Sequence, residues 1–521
     1  MSTTATMTGT IRDNTSTRTL LAALALGVAG DLLFWEVGPF GPTLSIWVAL
    51  LGVATFVLNR HAEPAWRKAL VLWSCVAFAA TLVLTFRAAE ELISLTLLVL
   101  LLCSSTVLLQ ARGTHLLAAR VVDYFRSGFQ MPVQVLLGII PLLGKVPLHD
   151  ASISARTRGI VRGLMMVTPL LLVFVGLFSA ADSTFERYAS RLGDVLSLDT
   201  PQHILVVLII SWIATGLLTC TFRREGEEDS SRARLAPTSE ILPVGAGPAR
   251  NAFLPHWAIG DEETGVIMGS LVALFLAFVI LQATYLFGGS EMIERTSGLT
   301  VAGYARRGFF ELLAVSVLTL AVLLMISASQ CNQRIFRPLA LVLIACVLLI
   351  LVSAAQRLSL YTDAFGLTMS RVLAVAFMVW LAGNLISFAA TVLRGRRDGF
   401  ASGLVLSGIV AIILLGTANP AAVVARVNVE RMMQEGVSLD IPYLSSLGAD
   451  AVPVLMEHFD ALSESDQCQV AFDFYNRWHP EGNMNADKRS QNWRTWNVSK
   501  ARARSLVIER EETFRQITKA C

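Results

Sequence analysis

Tyr304, Arg306, Arg307 and Glu311 form a dense run of charged and hydrogen-bonding side chains at the start of an apolar stretch. Arg307 and Glu311 are four residues apart, so on a helix they share a face and can pair directly. Arg357, Tyr361, Asp363 and Arg371 follow in what the apolar pattern makes the next loop on the same side. Guanidinium groups from two loops would then line one outward-facing cavity suited to an anionic headgroup or solute. The plainer and favoured reading is a set of interfacial salt bridges and phosphate anchors that hold helix ends.

Other polar residues stand inside the apolar stretches. Asp31 lies about one and a half turns from the end of the first one, where its carboxylate would snorkel to headgroups, make a bundle-facing hydrogen bond or enter a functional pairing. Gln282 and Asn384 are neutral and deeper, and such groups more often bridge neighbouring helices than bind a substrate. His458, Cys468, Asp473 and His479 are metal-ligand types, but their separations match no compact metal signature. There is no phosphate loop GxxxxGK[ST], no HExxH and no GxSxG. No catalytic residue, metal or cofactor is therefore assigned, and a non-enzymatic protein is favoured.

The elements that position these residues follow from composition. Of 521 residues, 54% are hydrophobic and 16% charged, and the mean hydropathy is +0.60. A soluble globular chain is about one-quarter charged, so a wholly soluble enzyme is excluded. A bilayer solvates such a surface if every backbone polar group is satisfied inside a helix or closed barrel. The net charge of +3 offers no concentrated basic face, and nucleic acid is not an expected partner.

A bilayer core about 30 Å thick takes roughly twenty helical residues. Eleven stretches fit, approximately residues 20–37, 42–58, 69–86, 92–109, 164–181, 204–222, 264–287, 309–327, 339–355, 372–392 and 401–417. The second, ninth and eleventh are the shortest. They are uninterrupted Leu, Val, Ala and Ile runs without the alternation of a barrel strand, which predicts an all-α, polytopic helical bundle. The run after residue 18 contains Asp31 and lacks a small-residue cleavage site, so it reads as an uncleaved first span.

Lys and Arg collect on cytoplasmic loops. With residues 1–18 as a cytoplasmic tail, the internal segments hold 22 Lys plus Arg and the external loops eight. An odd number of spans puts the last segment outside the cytoplasm. The expected organisation is a first helix group over residues 19–222, a flexible linker over 223–263, a second group over 264–417 and an extracytoplasmic helical domain over 418–521. Within the first group, residues 111–159 form a cytoplasmic amphipathic segment. There, His115 to Phe129 puts Leu117, Val121, Tyr124 and Phe125 near one helical face among Arg112, Arg120 and Arg126, as an interface-lying helix requires. Residues 131–148 are apolar but broken by Pro132, Pro141 and Pro147. In the last domain, Cys468 and Cys521 would pair in an oxidising compartment; the alternative is an unpaired terminal thiol at Cys521.

Four stretches carry a resemblance: Gly176–Phe185 (GLFSAADSTF), Tyr304–Leu312 (YARRGFFEL), Tyr361–Trp380 (YTDAFGLTMSRVLAVAFMVW) and the segment from Asn419 to Leu455. Together they resemble the bacterial membrane-protein family called domain of unknown function 4153/4173. The resemblance implies a bacterial multi-pass protein and brings no activity or catalytic residues with it. The leading expectation is an inner-membrane protein in envelope sensing or scaffolding, with membrane lipids and an envelope or signalling protein as partners. A transporter of a small or anionic solute and a lipid-modifying transferase are the alternatives. Removing Arg307 and Glu311 singly and together tests their pairing: a coupling of about 0.5 kcal/mol or more in unfolding free energy is expected, and strictly additive losses dismiss the pair.

Overall fold

The computed structural model of the chain describes residues 2–37, 41–117, 119–138, 142, 199–222, 261–286, 309–328, 332–396, 399–478 and 492–520. Among them are seventeen α-helices and no strand. In chain order, α1 is Ser2–Phe34, α2 Pro42–Leu58, α3 Pro64–Phe86, α4 Glu91–Ala111, α5 Val121–Leu137 and α6 Asp199–Thr219. Then come α7 Asp261–Leu286, α8 Phe309–Ala328, α9 Gln333–Phe365, α10 Met369–Thr391 and α11 Phe400–Thr417. The polar tail adds α12 Pro420–Glu435, α13 Ile441–Ser446, α14 Val452–Glu457, α15 Glu464–Trp478, α16 Val498–Glu509 and α17 Glu511–Ala520.

Seven of these helices contain stretches long and apolar enough to cross a bilayer, in α1, α3, α4, α6, α9, α10 and α11. Three shorter apolar helices, Pro42–Leu58, Thr264–Ile280 and Leu312–Ser327, lie where the sequence puts further spans. The protein is thus a polytopic, all-α membrane bundle. The expected span over residues 164–181 and most of the linker over 223–263 lie outside the described residues.

Proline opens several helices because its missing N–H is unpaired there anyway and its φ is already helical; Pro42, Pro64 and Pro420 do so for α2, α3 and α12. One difference from the sequence reading bears on the site. Arg357, Tyr361 and Asp363 are not in a loop, because α9 continues to Phe365. No proline or glycine interrupts residues 339–365, and the helix stops only at Gly366, whose φ of 77° suits glycine. At 33 residues, α9 is roughly 50 Å long against an apolar core of about 30 Å, so its charged ends reach beyond the hydrocarbon.

The amphipathic segment also differs. The helix begins at Val121 rather than near His115, and it runs through Pro132 to Leu137. Leu117 therefore precedes it, and Tyr124 is buried while Phe125 is exposed. Val122, Phe125, Phe129, Val133 and Leu136 make its exposed apolar stripe instead. Pro132 lies on the exposed side of the helix.

The chain divides into two compact units. In the first, comprising residues 1–116, 120–231 and 474–511, α6 packs on α1 and α5 through small residues. A Cβ on Gly27 would lie 1.9 Å from Ser211 Oγ and 2.6 Å from the Val207 carbonyl oxygen. One on Gly216 would lie 2.4 Å from Val135 Cα. Backbones this close maximise van der Waals contact where lipid removes any hydrophobic drive for helices to associate. Trp47 Nε1 donates to the Leu26 carbonyl at 3.1 Å, and Trp212 Nε1 to that of Leu136 at 3.0 Å. Asn59 Nδ2 donates to Thr221 Oγ1 at 2.9 Å, fixing the end of α6 beside that of α2. Between α2, α3, α4 and α6 a cavity of about 80 Å³, lined by residues including Val48, Gly52, Trp73 and Cys103, has room for water but not for a drug-sized solute.

In the second unit, comprising residues 117–119, 232–473 and 512–521, α9 packs against α7, α8 and α10. Phe459 and Phe514 are fully buried and meet edge to face at 5.3 Å, joining α17 to the turn after α14. Replacing Gly27 by valine should lower the unfolding free energy by about 1–3 kcal/mol, as overpacking of a tight contact does. Denaturation of the purified chain in detergent reads this out, and an unchanged midpoint would mean that α1 and α6 are not in contact.

Candidate functional site

In both units, side chains of the polar tail bond to main-chain groups at the ends of the apolar helices. In the second unit the connection from α9 to α10 is only Gly366–Thr368, and Asn428 of α12 grips it. Asn428 Oδ1 accepts from the Leu367 N–H at 2.8 Å, and Asn428 Nδ2 donates to the Leu367 carbonyl at 2.8 Å. The Met369 N–H, in the first turn of α10, donates to Tyr443 Oη at 2.7 Å. A Cβ on Gly366 would fall 2.3 Å from Asn428 Oδ1, so glycine is required there for the approach as well as for its φ. Asn428 and Tyr443 are held for this task by capped helices: Asn419 Oδ1 accepts from the Ala422 N–H and Asp440 Oδ1 from the Tyr443 N–H.

In the first unit the same principle operates on α1 and α3. Asn497 Nδ2 donates to the Leu84 and Arg87 carbonyls, each at 2.9 Å, and Ser499 Oγ to that of Phe86 at 2.7 Å. Arg494 Nη1 donates to the Leu32 carbonyl at 2.9 Å and the Trp35 carbonyl at 3.4 Å. The last four carbonyls of any helix lack an intrahelical partner, and these donors supply it. Asn497 also caps α16, accepting from the Lys500 N–H at 3.1 Å.

Beside the Arg494 contact lies a pairing between two helices. Asp31, buried near the end of α1, has Oδ2 2.8 Å from Nδ1 of His203 in the first turns of α6. The Trp35 ring stacks on the imidazole at 4.0 Å between centroids. Asp31 Oδ1 is buried and has no hydrogen-bond partner among the described residues. The carboxylate faces the bundle and makes a hydrogen bond to another helix, and the histidine half-seals it from solvent. An imidazole N–H donating to a carboxylate is a charge-assisted bond.

The residues singled out in the sequence fall as follows. Tyr361 and Arg371 come together: Arg371 Cζ lies 4.2 Å over the Tyr361 ring, and Arg371 Nη1 donates to the Gly366 carbonyl. Arg357 lies two turns before the end of α9, and Asp363 is exposed in its last turn. Tyr304, Arg306 and Arg307 lie outside the described residues. Glu311 and Gln282 belong to α8 and α7, and their side chains are outside the description. Asn384 is buried between α10 and α11, with Nδ2 donating to the Trp380 carbonyl at 2.7 Å and Oδ1 accepting from Ser407 Oγ at 3.4 Å. His203, Asn428, Tyr443, Arg494 and Asn497 were not singled out. Two of them carried a signal: Asn428 and Tyr443 sit in one of the resembling stretches, and the loop they hold sits in another.

The family model described as Domain of unknown function (DUF4153) matches residues 68–458, most of the chain. The chain belongs to this family. The DUF4153 match includes α9, the loop it hands to α10, and both tail residues that grip that loop. It includes His203 but neither Asp31 nor Arg494. No curated protein and no solved structure matches the chain.

Replacing His203 by alanine leaves a buried carboxylate without its donor, and the expected loss is about 1.5–3 kcal/mol, the range for hydrogen bonds to charged groups. In a cycle with Asp31→Asn, measured by denaturation in detergent, the two changes should couple by at least about 1 kcal/mol. Additive losses would mean that the two residues do not meet.

Proposed function

We propose that the protein resides in a bacterial inner membrane with its N-terminus cytoplasmic and its tail outside the cytoplasm, and that it serves in envelope sensing or scaffolding. The observation that carries this reading is the tail's grip on helix ends. A free-standing soluble domain would need only a linker, whereas here Asn428, Tyr443, Arg494, Asn497 and Ser499 bond directly to main chain at the ends of apolar helices. A force or ligand acting on such a tail is transmitted to the bundle, and a shift in the bundle moves the tail.

Two further features support the orientation. Cys468 in the tail is disulfide-bonded, with its partner outside the described residues, and structural disulfides persist in oxidising compartments. The tail also meets the C-terminal ends of α1 and α3, which is the side opposite the N-terminus of α1. Lys and Arg are concentrated on the other side, as cytoplasmic loops require.

Two outcomes check the proposal. An alkaline phosphatase fused after Asn419 should be active, since it folds only outside the cytoplasm; a fusion active only with a cytoplasmic reporter reverses the orientation. Asn497→Ala should weaken docking by about 1–2 kcal/mol through the lost cap and carbonyl bonds. In membranes that change should speed proteolysis of the tail several-fold relative to Ser505→Ala, and equal rates would remove the coupling on which the sensing role depends.

A further inference from the structure

The tail segment that grips α1 and α3 also exposes two indoles. Trp493 and Trp496 are 59% and 50% exposed, unusual for the largest side chain in a segment otherwise committed to hydrogen bonds. Their height relative to the bilayer is fixed by their neighbours. Arg494, between them, reaches the carbonyl of Leu32, and Ser499 reaches that of Phe86. Leu32 and Phe86 are themselves exposed apolar residues at the ends of their helices. Leu32 completes an exposed line with Leu21, Leu24 and Val28 along α1, an apolar surface that lipid solvates in a spanning helix. The indoles therefore stand at the rim of a lipid-facing surface, where a bilayer passes from acyl chain to headgroup and where tryptophan is enriched.

The charge around them matches that level. From Trp493 to Glu509 the segment carries Arg494, Lys500, Arg502 and Arg504 against Glu509 alone. Lys500 and Arg502 are exposed. The Lys500 ammonium is held below the ordinary lysine range, first by partial desolvation and then by Arg504 and Arg477, with Glu90 opposing. Like charges gathered at this point leave a positive field, and anionic headgroups are attracted to such a field.

We propose that residues 493–504 form a lipid-binding surface, with Trp493 and Trp496 inserted at the headgroup boundary and Lys500 and Arg502 facing the phosphates of anionic phospholipids. This rests on the docking of the tail described above and adds to it a second attachment, to lipid rather than to the helix ends. The tail would then respond to the charge of the leaflet it touches, which gives a sensing role a defined chemical input.

The test uses the full chain in lipid nanodiscs whose phospholipids are brominated high on the acyl chain, read by tryptophan fluorescence. Discs contain either phosphatidylcholine alone or a mixture with phosphatidylglycerol. Brominated lipid should quench the wild type more than the double variant Trp493→Phe/Trp496→Phe, which keeps aromatic rings in place. Phosphatidylglycerol should increase that difference, and the increase should vanish in Lys500→Ala/Arg502→Ala. Equal quenching of wild type and double variant in both lipids overturns the proposal. Proteolysis of the same discs separates the two ideas: a protected tail with equal quenching removes only the lipid contact, whereas a tail cleaved freely in the wild type removes the docking and the lipid surface together.

Discussion

A helix that crosses a bilayer ends with carbonyls that no residue of its own can satisfy, and the short turns between spans leave amides in the same position. Water and headgroups satisfy such groups in part. This protein adds side chains from a polar tail: Asn428 and Tyr443 in one unit, Arg494, Asn497 and Ser499 in the other. The tight Gly366–Thr368 loop after α9 leaves the Leu367 N–H and C=O without a helical partner, and Asn428 satisfies both. Tail and bundle are in consequence one hydrogen-bonded structure within each unit.

Inside the bilayer a different constraint rules. Helices there gain nothing from hiding apolar surface, so they associate where small residues let backbones meet and where polar groups find each other. Gly27 against Ser211 and Gly216 against Val135 supply the first, Asp31 with His203 and Asn384 with Ser407 the second. The Asp31 pair stands next to the turn that Arg494 holds, so loss of that bond acts on a helix end the tail already touches. Side-chain chemistry and tail docking thus converge at the end of α1.

The apolar helices were largely legible, because a hydrocarbon slab imposes a minimum length and a composition that few other constraints mimic. Pro42–Leu58 has the bounds that its Pro start and apolar run indicate. The end of α9 was not, since hydropathy marks the part of a helix inside lipid and is silent on how far the helix continues in water. The face of α5 differs from the sequence reading because Tyr124 and Phe125, about 100° apart on a helix that starts at Val121, fall on either side of the boundary between its buried and exposed faces. The Asp31 partner lies 172 residues away, and nothing in local order connects it to His203. The tail residues that bind helix ends are mostly uncharged amides and hydroxyls, which look like ordinary surface residues until the backbone they serve is seen. Only the joint resemblance of residues 361–380 and 419–455 to one family hinted that those segments belong together.

Amide hydrogen exchange of the intact chain in lipid discs tests the central claim most directly. Leu367 lies in the short connection and Met369 is the first residue of α10, so neither amide has a helical partner of its own and their protection depends on Asn428 and Tyr443. The account predicts slow exchange at both amides in the wild type and fast exchange at Leu367 when Asn428 is replaced by alanine. Fast exchange at both in the wild type would contradict it, because the tail would then not be supplying the bonds on which the helix ends depend.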